Sequence, residues 1–487
     1  CHHAILTPPE EKSTAYTLEH RANGTFAVGP PDKLYGPFET KTIVSHPMKE
    51  SVGITPEHAN LTTSSRLCTS CHSINLPVVD QPAKIHPIDL RTHHDVEQAT
   101  YVEWSNSEFS YGPTKQTCQD CHMPPSVVND RLHVVNPAIQ TKIAIVEDEA
   151  YPQAEHLAPI KDLTVAWRTT GYRRHELLGL NAFLLLAFAR SPDPLGVRTG
   201  DYMSGSNNDL NDAISNVVRQ AEHKTATVGV NAKIDNGTLV ASVAVENKTG
   251  HRFPSGVGFR RAFVELTVTD SSGNVVFSSG RTNANGEILG PDNAPLPTEY
   301  FSRGADGKQQ YQPHFDEQNP VTSASEVQIF EELVDDADGN ITESFIRRDH
   351  PLKDNRLLPR GWRFEGNPQE PLPPNWLEAT RPLGVRGDPN YSKQLGGRAR
   401  AVVGYRVPLH TAVDPAQLSV TATLWYQSWE PYFKKLRTTG DGPAATRLRV
   451  LLANLHPDEP LPNVYPTNTP LANWKLKISS ATTKPSS

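Results

Sequence analysis

The sequence predicts an α+β chain of two unlike parts. Residues 1–204 read as a loop-rich, mostly α domain and 226–478 as an immunoglobulin-like β-sandwich, with a connecting helix over 205–225 between them. Three observations predict this. Every cysteine and 13 of the 19 histidines precede residue 200. Prolines crowd the same stretch (Pro8, Pro9, Pro30, Pro31, Pro37, Pro77, Pro82, Pro87, Pro124, Pro125), so its regular elements are short and separated by loops. Beyond residue 225, apolar residues recur with period two, the pattern of half-buried strands. At 487 residues the chain exceeds one ordinary core.

Taken in order, 97–107 reads as a helix with Tyr101 and Trp104 on one face. A longer helix is expected over 172–190, with Leu177, Leu178, Phe183, Leu184 and Phe188 apolar. The connecting helix follows at 208–223, with Asn and Asp cap candidates at its start. Strand 238–246 alternates through Leu239, Ala241, Val243 and Val245. Strand 262–269 alternates likewise, and the turn Ser271-Ser-Gly-Asn274 leads into 275–277, a hairpin signature. Further strands are expected at 326–334, 401–407 and 418–427. Short strands between turn signals indicate a sandwich. Pro/Gly-rich insertions interrupt it at about 285–320 and 355–395, and the tail 479–487 is expected to be disordered.

Charge and hydropathy exclude two classes of partner. The net charge is −7 and there are no basic runs, so nucleic acid is not an expected partner. No stretch approaches the roughly 18 apolar residues that a spanning helix needs. The chain carries no signal peptide, which implies a removed leader or a missing N-terminal part.

The chemistry lies in the cysteines. Four of the five sit in two copies of one pentapeptide, Cys68-Thr-Ser-Cys71-His72 and Cys118-Gln-Asp-Cys121-His122. C-x-x-C-H is the attachment site of c-type haem: the cysteines add to the porphyrin vinyl groups and the histidine faces the iron. The opening Cys1-His2-His3 matches the end of a third such motif. A lipidated N-terminal cysteine is the other reading of Cys1. Zinc fits the pairs poorly, because paired C-x-x-C zinc sites are typically about 15 to 20 residues apart and need no histidine after each pair. A redox disulfide would want a strand–helix–strand setting, which is lacking. At least three covalent haems are therefore expected, with Cys1, Cys68, Cys71, Cys118 and Cys121 as attachment points and His2, His72 and His122 as proximal ligands. Porphyrin would supply the core of 1–204, and short helices would carry the motifs. Haem attachment to cysteine places the protein in the periplasm or outside the cell.

Around these motifs the chain resembles a known family. Tyr35-Gly-Pro-Phe38 followed by His46 and Leu67-Cys-Thr-Ser-Cys-His72 is similar to multihaem c-type cytochromes related to the cytochrome c-554 and hydroxylamine oxidoreductase group. So are Glu103-Trp-Ser-Asn-Ser107, Thr117-Cys-Gln-Asp-Cys-His-Met-Pro124 and Arg174-His-Glu-Leu-Leu-Gly-Leu-Asn-Ala-Phe183. Glu246-Asn-Lys-Thr-Gly-His-Arg-Phe-Pro-Ser-Gly256 and Asp354-Asn-Arg-Leu-Leu-Pro359 resemble strings of such proteins with an appended β-domain. The resemblance implies distal ligands at His46, His133, His175 and His251, with His3 a further candidate. Two of these have support from their setting. His175 opens the expected helix over 172–190, and His251 stands in a stiff Gly-His-x-x-Pro-x-Gly loop at a strand end. Five candidates for three irons fit a chain lacking upstream motifs.

The weaker signals have plain readings. Asp335-Asp-Ala-Asp-Gly-Asn340 lacks EF-hand spacing and reads as a hairpin turn. Arg260-Arg261, Arg347-Arg348 and Lys434-Lys435 are propionate contacts or solvated charges, and Trp425-Tyr-Gln-Ser-Trp429 is sheet packing.

The expected function is single-electron transfer through closely packed bis-histidine haems, with other redox proteins or cytochromes as partners. Two alternatives stand beside it. One is an oxidoreductase acting on a small nitrogen or sulfur compound at an open-site haem. The other is a structural subunit that self-assembles into an extracellular filament or joins a respiratory complex.

Overall fold

The computed structural model describes residues 1–40, 43, 45–78, 94–124, 127–128, 134–135, 143–146, 165–168, 173–198, 207–409, 414–459 and 471–486. It mixes helices with several small sheets, none of them closed. The α+β class expected from the sequence is what is observed.

The C-terminal part is built on two antiparallel sheets. Ala226–Asp235, Thr238–Asn247 and Arg400–Pro408 form one, in that order. Its first two strands join through Asn236-Gly237, both at positive φ (48° and 75°). Asn-Gly with both residues left-handed is the turn whose twist matches a tight hairpin. The second sheet runs Val275–Ser279, Arg261–Thr269, Ser419–Gln427, Leu476–Thr483, with Ile329–Phe330 also paired to Arg261–Thr269. Leu239, Val243, Val245, Val403 and Tyr405 from the first sheet share one core with Val264, Leu266, Val420, Ala422 and Leu424 from the second. Alternation along each strand sends every second side chain there. The strand Ala226–Asp235 was not among those expected, although Val228, Val230, Ala232 and Ile234 alternate there.

The helices Ala182–Arg190 and Asn207–Gln220 add Phe183, Leu186, Ile214, Val217 and Val218 to the same core. A smaller cluster of Leu18, Val96, Tyr101, Val102 and Trp376 lies in the N-terminal part, reached by Trp376 from the second insertion.

Four expectations are corrected. The helix expected over 172–190 is helical only from Ala182. Asn181 caps it, accepting from Leu184 N at 3.2 Å, and 173–180 is non-helical because its backbone bonds to the Cys118–Pro124 segment instead. The helix expected over 97–107 is a strand His94–Gln98 and then a helix Thr100–Ser105. The strand expected at 326–334 divides into Ile329–Phe330 and Glu332–Asp335, because each half pairs with a different partner. Of the tail 479–487 expected to be disordered, residues 479–483 complete the strand Leu476–Thr483, and Ser486 pairs on with Lys233.

The two parts of the chain are tied by buried charge. Glu103, on the Thr100–Ser105 helix, accepts from Arg252 N at 3.2 Å and Ser255 Oγ at 2.6 Å, and ion-pairs with Arg356 Nη1 at 3.2 Å. Asp354 holds Arg356 at 2.8 Å and also pairs with Arg252. The pairing charges lower the Asp354 carboxyl against the pull of burial and raise Arg356, so these two groups stay ionised.

Candidate functional site

Both C-x-x-C-H motifs begin on short helices. Cys118–His122 opens with a capping box: Thr117 Oγ1 accepts from Asp120 N at 3.3 Å, and Asp120 Oδ2 accepts from Thr117 N at 2.7 Å. That pins the first turn, so Cys118, Cys121 and His122 project from successive steps of one short spiral. The helix Arg66–Thr69 carries Cys68, without a side-chain cap, and is followed by Cys71 and His72.

The two motifs pack on each other. Cys118 N donates to Ser65 Oγ at 3.0 Å, and the buried Gln119 amide donates to Ser64 O at 2.9 Å and Thr62 O at 3.3 Å. Interaction between the neighbouring Cys68 and Cys118 thiols pushes Cys68 well up and Cys118 down. Burial raises Cys121. None of the five cysteines is in a disulfide.

The histidines around the motifs share a hydrogen-bonding habit. His2 Nδ1 donates to Tyr35 O at 2.6 Å, His251 Nδ1 to Arg252 O at 2.8 Å, and His122 Nδ1 to Leu178 O. A carbonyl oxygen can only accept, so each ring carries its proton on Nδ1 and keeps the Nε2 lone pair free. That is the tautomer and the orienting contact of a metal-ligating imidazole. His72 Nδ1 lies 3.2 Å from the Gln98 carboxamide, which offers a carbonyl oxygen after a half-turn. Burial lowers His72 below its ordinary pKa, with the neighbouring His122 and Arg260 adding to it. Burial first and then His122 take His251 down to about 4, so it is neutral at physiological pH.

These rings come together in two pairs. His122 and His251 face each other with centroids 6.1 Å apart and planes 20° from parallel. His2 and His175 are 5.9 Å apart at 59°. Neither pair is in ring contact; Tyr16 and His20, which do stack, are 3.9 Å apart. Two imidazoles bonded through Nε2 to one metal, each at about 2 Å, have centroids roughly 6 Å apart. One member of each pair adjoins a motif cysteine, so the residues present fit covalent haem with two axial histidines.

One segment serves both pairs. Residues 173–178 lie along the second motif, through Arg174 N to Pro124 O at 3.2 Å, Leu178 N to His122 O at 3.1 Å, and an Arg173–Asp120 ion pair. Through Leu178 it orients His122, and through His175 it faces His2. His175 thus sits ahead of the helix it was expected to open. The carbonyls of Tyr35, Leu178 and Arg252 had no signal in the sequence, since any residue supplies one.

The other candidates are placed less fully. Cys1 is exposed and its carbonyl accepts from Ala4 N at 3.0 Å. The His3 carbonyl accepts from Gly29 N at 2.8 Å. His46 begins the helix His46–Val52, but its side chain lies outside the described residues, as does His133. Arg261 and Arg348 are neither propionate contacts nor solvated: both are buried, Arg261 against Glu299 at 2.7 Å and Arg348 against Asp95 at 2.7 Å and Glu332 at 2.5 Å. Residues 335–340 form a turn, with Asp336 N donating to Asn340 O at 2.8 Å. Beside Gln98, burial pushes Glu97 up to about 7, with Arg348 opposing and Glu332 reinforcing the rise.

No family model matches the chain, and no curated protein matches it. Among solved structures, a penta-heme cytochrome c552 from Thermochromatium tepidum is similar, at 14% identity and a TM-score of 0.41 over 95% of this chain and 70% of that one. At that level of similarity, residue roles in this chain stand on their own geometry.

Proposed function

We propose that the protein is a multihaem c-type cytochrome that passes single electrons between closely spaced bis-histidine haems. The observation that carries this is the pair of facing imidazoles near 6 Å, His122–His251 and His2–His175, each with one member adjoining a motif cysteine. Haem c supplies reversible one-electron chemistry, at a potential tuned over roughly 0.8 V by axial ligand and surroundings. The chain's own residues do the rest. Cys1, Cys68, Cys71, Cys118 and Cys121 anchor the groups. The carbonyls of Tyr35, Leu178 and Arg252 hold the ring protons on Nδ1 and aim Nε2 inward. Interaction between the Cys68 and Cys118 thiols supports two attachment sites side by side, which favours fast transfer between them.

His251 comes from the C-terminal part, so the β-region closes a site begun in the N-terminal part. Two antiparallel sheets around one core support the sandwich reading of that region. Among the described residues no helix is long and apolar enough to cross a membrane. A periplasmic or extracellular site of action, with other redox proteins or further cytochromes as partners, belongs to the same proposal.

A pyridine haemochrome assay with intact-mass measurement tests it. Three haems per chain are expected on this stretch. Two would assign Cys1 another role, and none would overturn the reading.

A further inference from the structure

Far from the motifs, His314, Asp316 and Asp388 meet in the interior of the C-terminal part, 1%, 3% and 2% exposed. One donor atom from each lies within 4.8 Å of the others. Asp316 Oδ1 is saturated, accepting from Gln318 N at 2.7 Å, Asn319 N at 2.6 Å and Asn319 Nδ2 at 3.2 Å. Asp316 Oδ2 is buried with no hydrogen-bond partner. A buried carboxylate oxygen left so is costly, because nothing replaces its lost hydration.

The charge balance is as uneven. Among the described residues no Lys or Arg ion-pairs with either carboxylate; Asp388 Oδ2 meets His314 at 3.0 Å, and Asp388 Oδ1 accepts from Asn390 N at 2.8 Å and Asn390 Nδ2 at 2.9 Å. His314 cannot supply the missing charge. Its Nδ1 faces the Gln328 amide at 3.2 Å and the Asn355 amide at 3.1 Å. Both amides are fixed by their oxygens: Gln328 Oε1 accepts from Phe315 N at 2.7 Å and Asn355 Oδ1 from Glu331 N at 3.0 Å. Two N–H donors therefore point at Nδ1, which must accept. The ring is neutral, with its proton on Nε2 donated to Asp388. It cannot also ligate a metal, so it orients the Asp388 carboxylate. Two buried carboxylates therefore meet with no Lys or Arg beside them among the described residues.

We infer that Asp316 and Asp388 bind a divalent, oxygen-seeking cation of the calcium class, with His314 positioning Asp388. Two carboxylates neutralise a divalent charge, and hard oxygen donors select Ca2+ over soft-ligand metals. Asp316 comes from the first long insertion and Asp388 from the second, so the ion cross-links them. The second insertion also supplies Arg356 to Glu103, so the ion steadies the scaffold of the domain junction.

The test uses the haem-loaded protein. After dialysis against EGTA, Ca2+ should raise the melting temperature by roughly 5 °C, and elemental analysis should return one Ca2+ per chain after exchange into low-calcium buffer. Asp316→Asn, which keeps the shape and removes the charge, should abolish both. Tb3+ luminescence sensitised by Tyr391, whose ring centroid is 5.1 Å from that of His314, should appear in the wild type and be lost in the variant. An unchanged melting temperature with no bound divalent ion in the wild type would mean the carboxylates hold only water, and overturns the inference. So would full stoichiometry in Asp316→Asn. If that variant does not fold, the wild-type measurements decide alone.

Discussion

The imidazole of His251, on a loop of the C-terminal part, lies with its centroid 6.1 Å from that of His122 on a motif helix, the ring planes 20° from parallel. The first prediction follows from it. His251→Ala should convert one haem from low to high spin and leave the others low-spin. Electron paramagnetic resonance on the oxidised protein checks this. His175→Ala should affect a different haem, so the double variant should show two high-spin centres. A spectrum unchanged in His251→Ala would leave His251 as an ordinary loop residue.

Glu103 and Arg356 set the second. Removing one partner of a buried ion pair strands the other, which costs about 3–5 kcal/mol. Glu103→Ala should therefore uncouple the two parts: urea unfolding followed by haem absorbance and by tryptophan fluorescence should separate into two transitions. Coincident curves at the wild-type midpoint would contradict it.

A third concerns pH. Glu97 is raised from 4.5 to about 7 by burial. Between those values the folded chain keeps a proton that the unfolded chain has released, so the folded state binds more protons and stability falls as pH rises. The contribution is whole below 4.5 and lost through about 7. It amounts to roughly 2–3 kcal/mol at most. Glu97→Gln should flatten that part of the stability profile, measured by denaturation at pH 5, 6, 7 and 8 and taken as the difference from wild type. The difference cancels Glu430, which burial also raises to about 7.

The fourth concerns the C-terminus. Deleting residues 476–487 removes a strand whose Leu476 and Ile478 are buried at 1% and 0% exposure. Each such side chain contributes roughly 1.5–3 kcal/mol, and the cut bares the edge of Ser419–Gln427. The truncated protein should melt well below wild type and aggregate; melting and solubility at wild-type levels would contradict this.

What the sequence revealed and concealed has physical reasons. The motifs were legible because covalent chemistry fixes their spacing, and most strands because sheets impose period two on buried residues. Residues 173–180 misled: Leu177, Leu178 and Leu180 continue a helical apolar pattern, yet Leu177 is 68% exposed with φ 48°. Their backbone serves His122 instead, a long-range bond that local propensity cannot register. The pairing of His2 with His175 was hidden for the same reason. The last strand was hidden by composition, since Ser479-Ser-Ala-Thr-Thr483 is small and polar and takes its order from pairing with Ser419–Gln427 and from Val228 N, which donates to Ser479 Oγ at 3.1 Å.

The nearness of the Cys68 and Cys118 thiols bears on how the protein must be made. The fold sets these two sulfurs, from different motifs, close enough to shift each other's acidity. A chain that collapsed to this shape under oxidising conditions before loading would hold two thiols ready to cross-link, and the bridge would consume one cysteine of each attachment site. Thiol oxidation and haem ligation therefore compete for the same atoms, and the outcome depends on which comes first. On the proposed function, loading haem before the two motifs pack keeps all four of their cysteines for attachment.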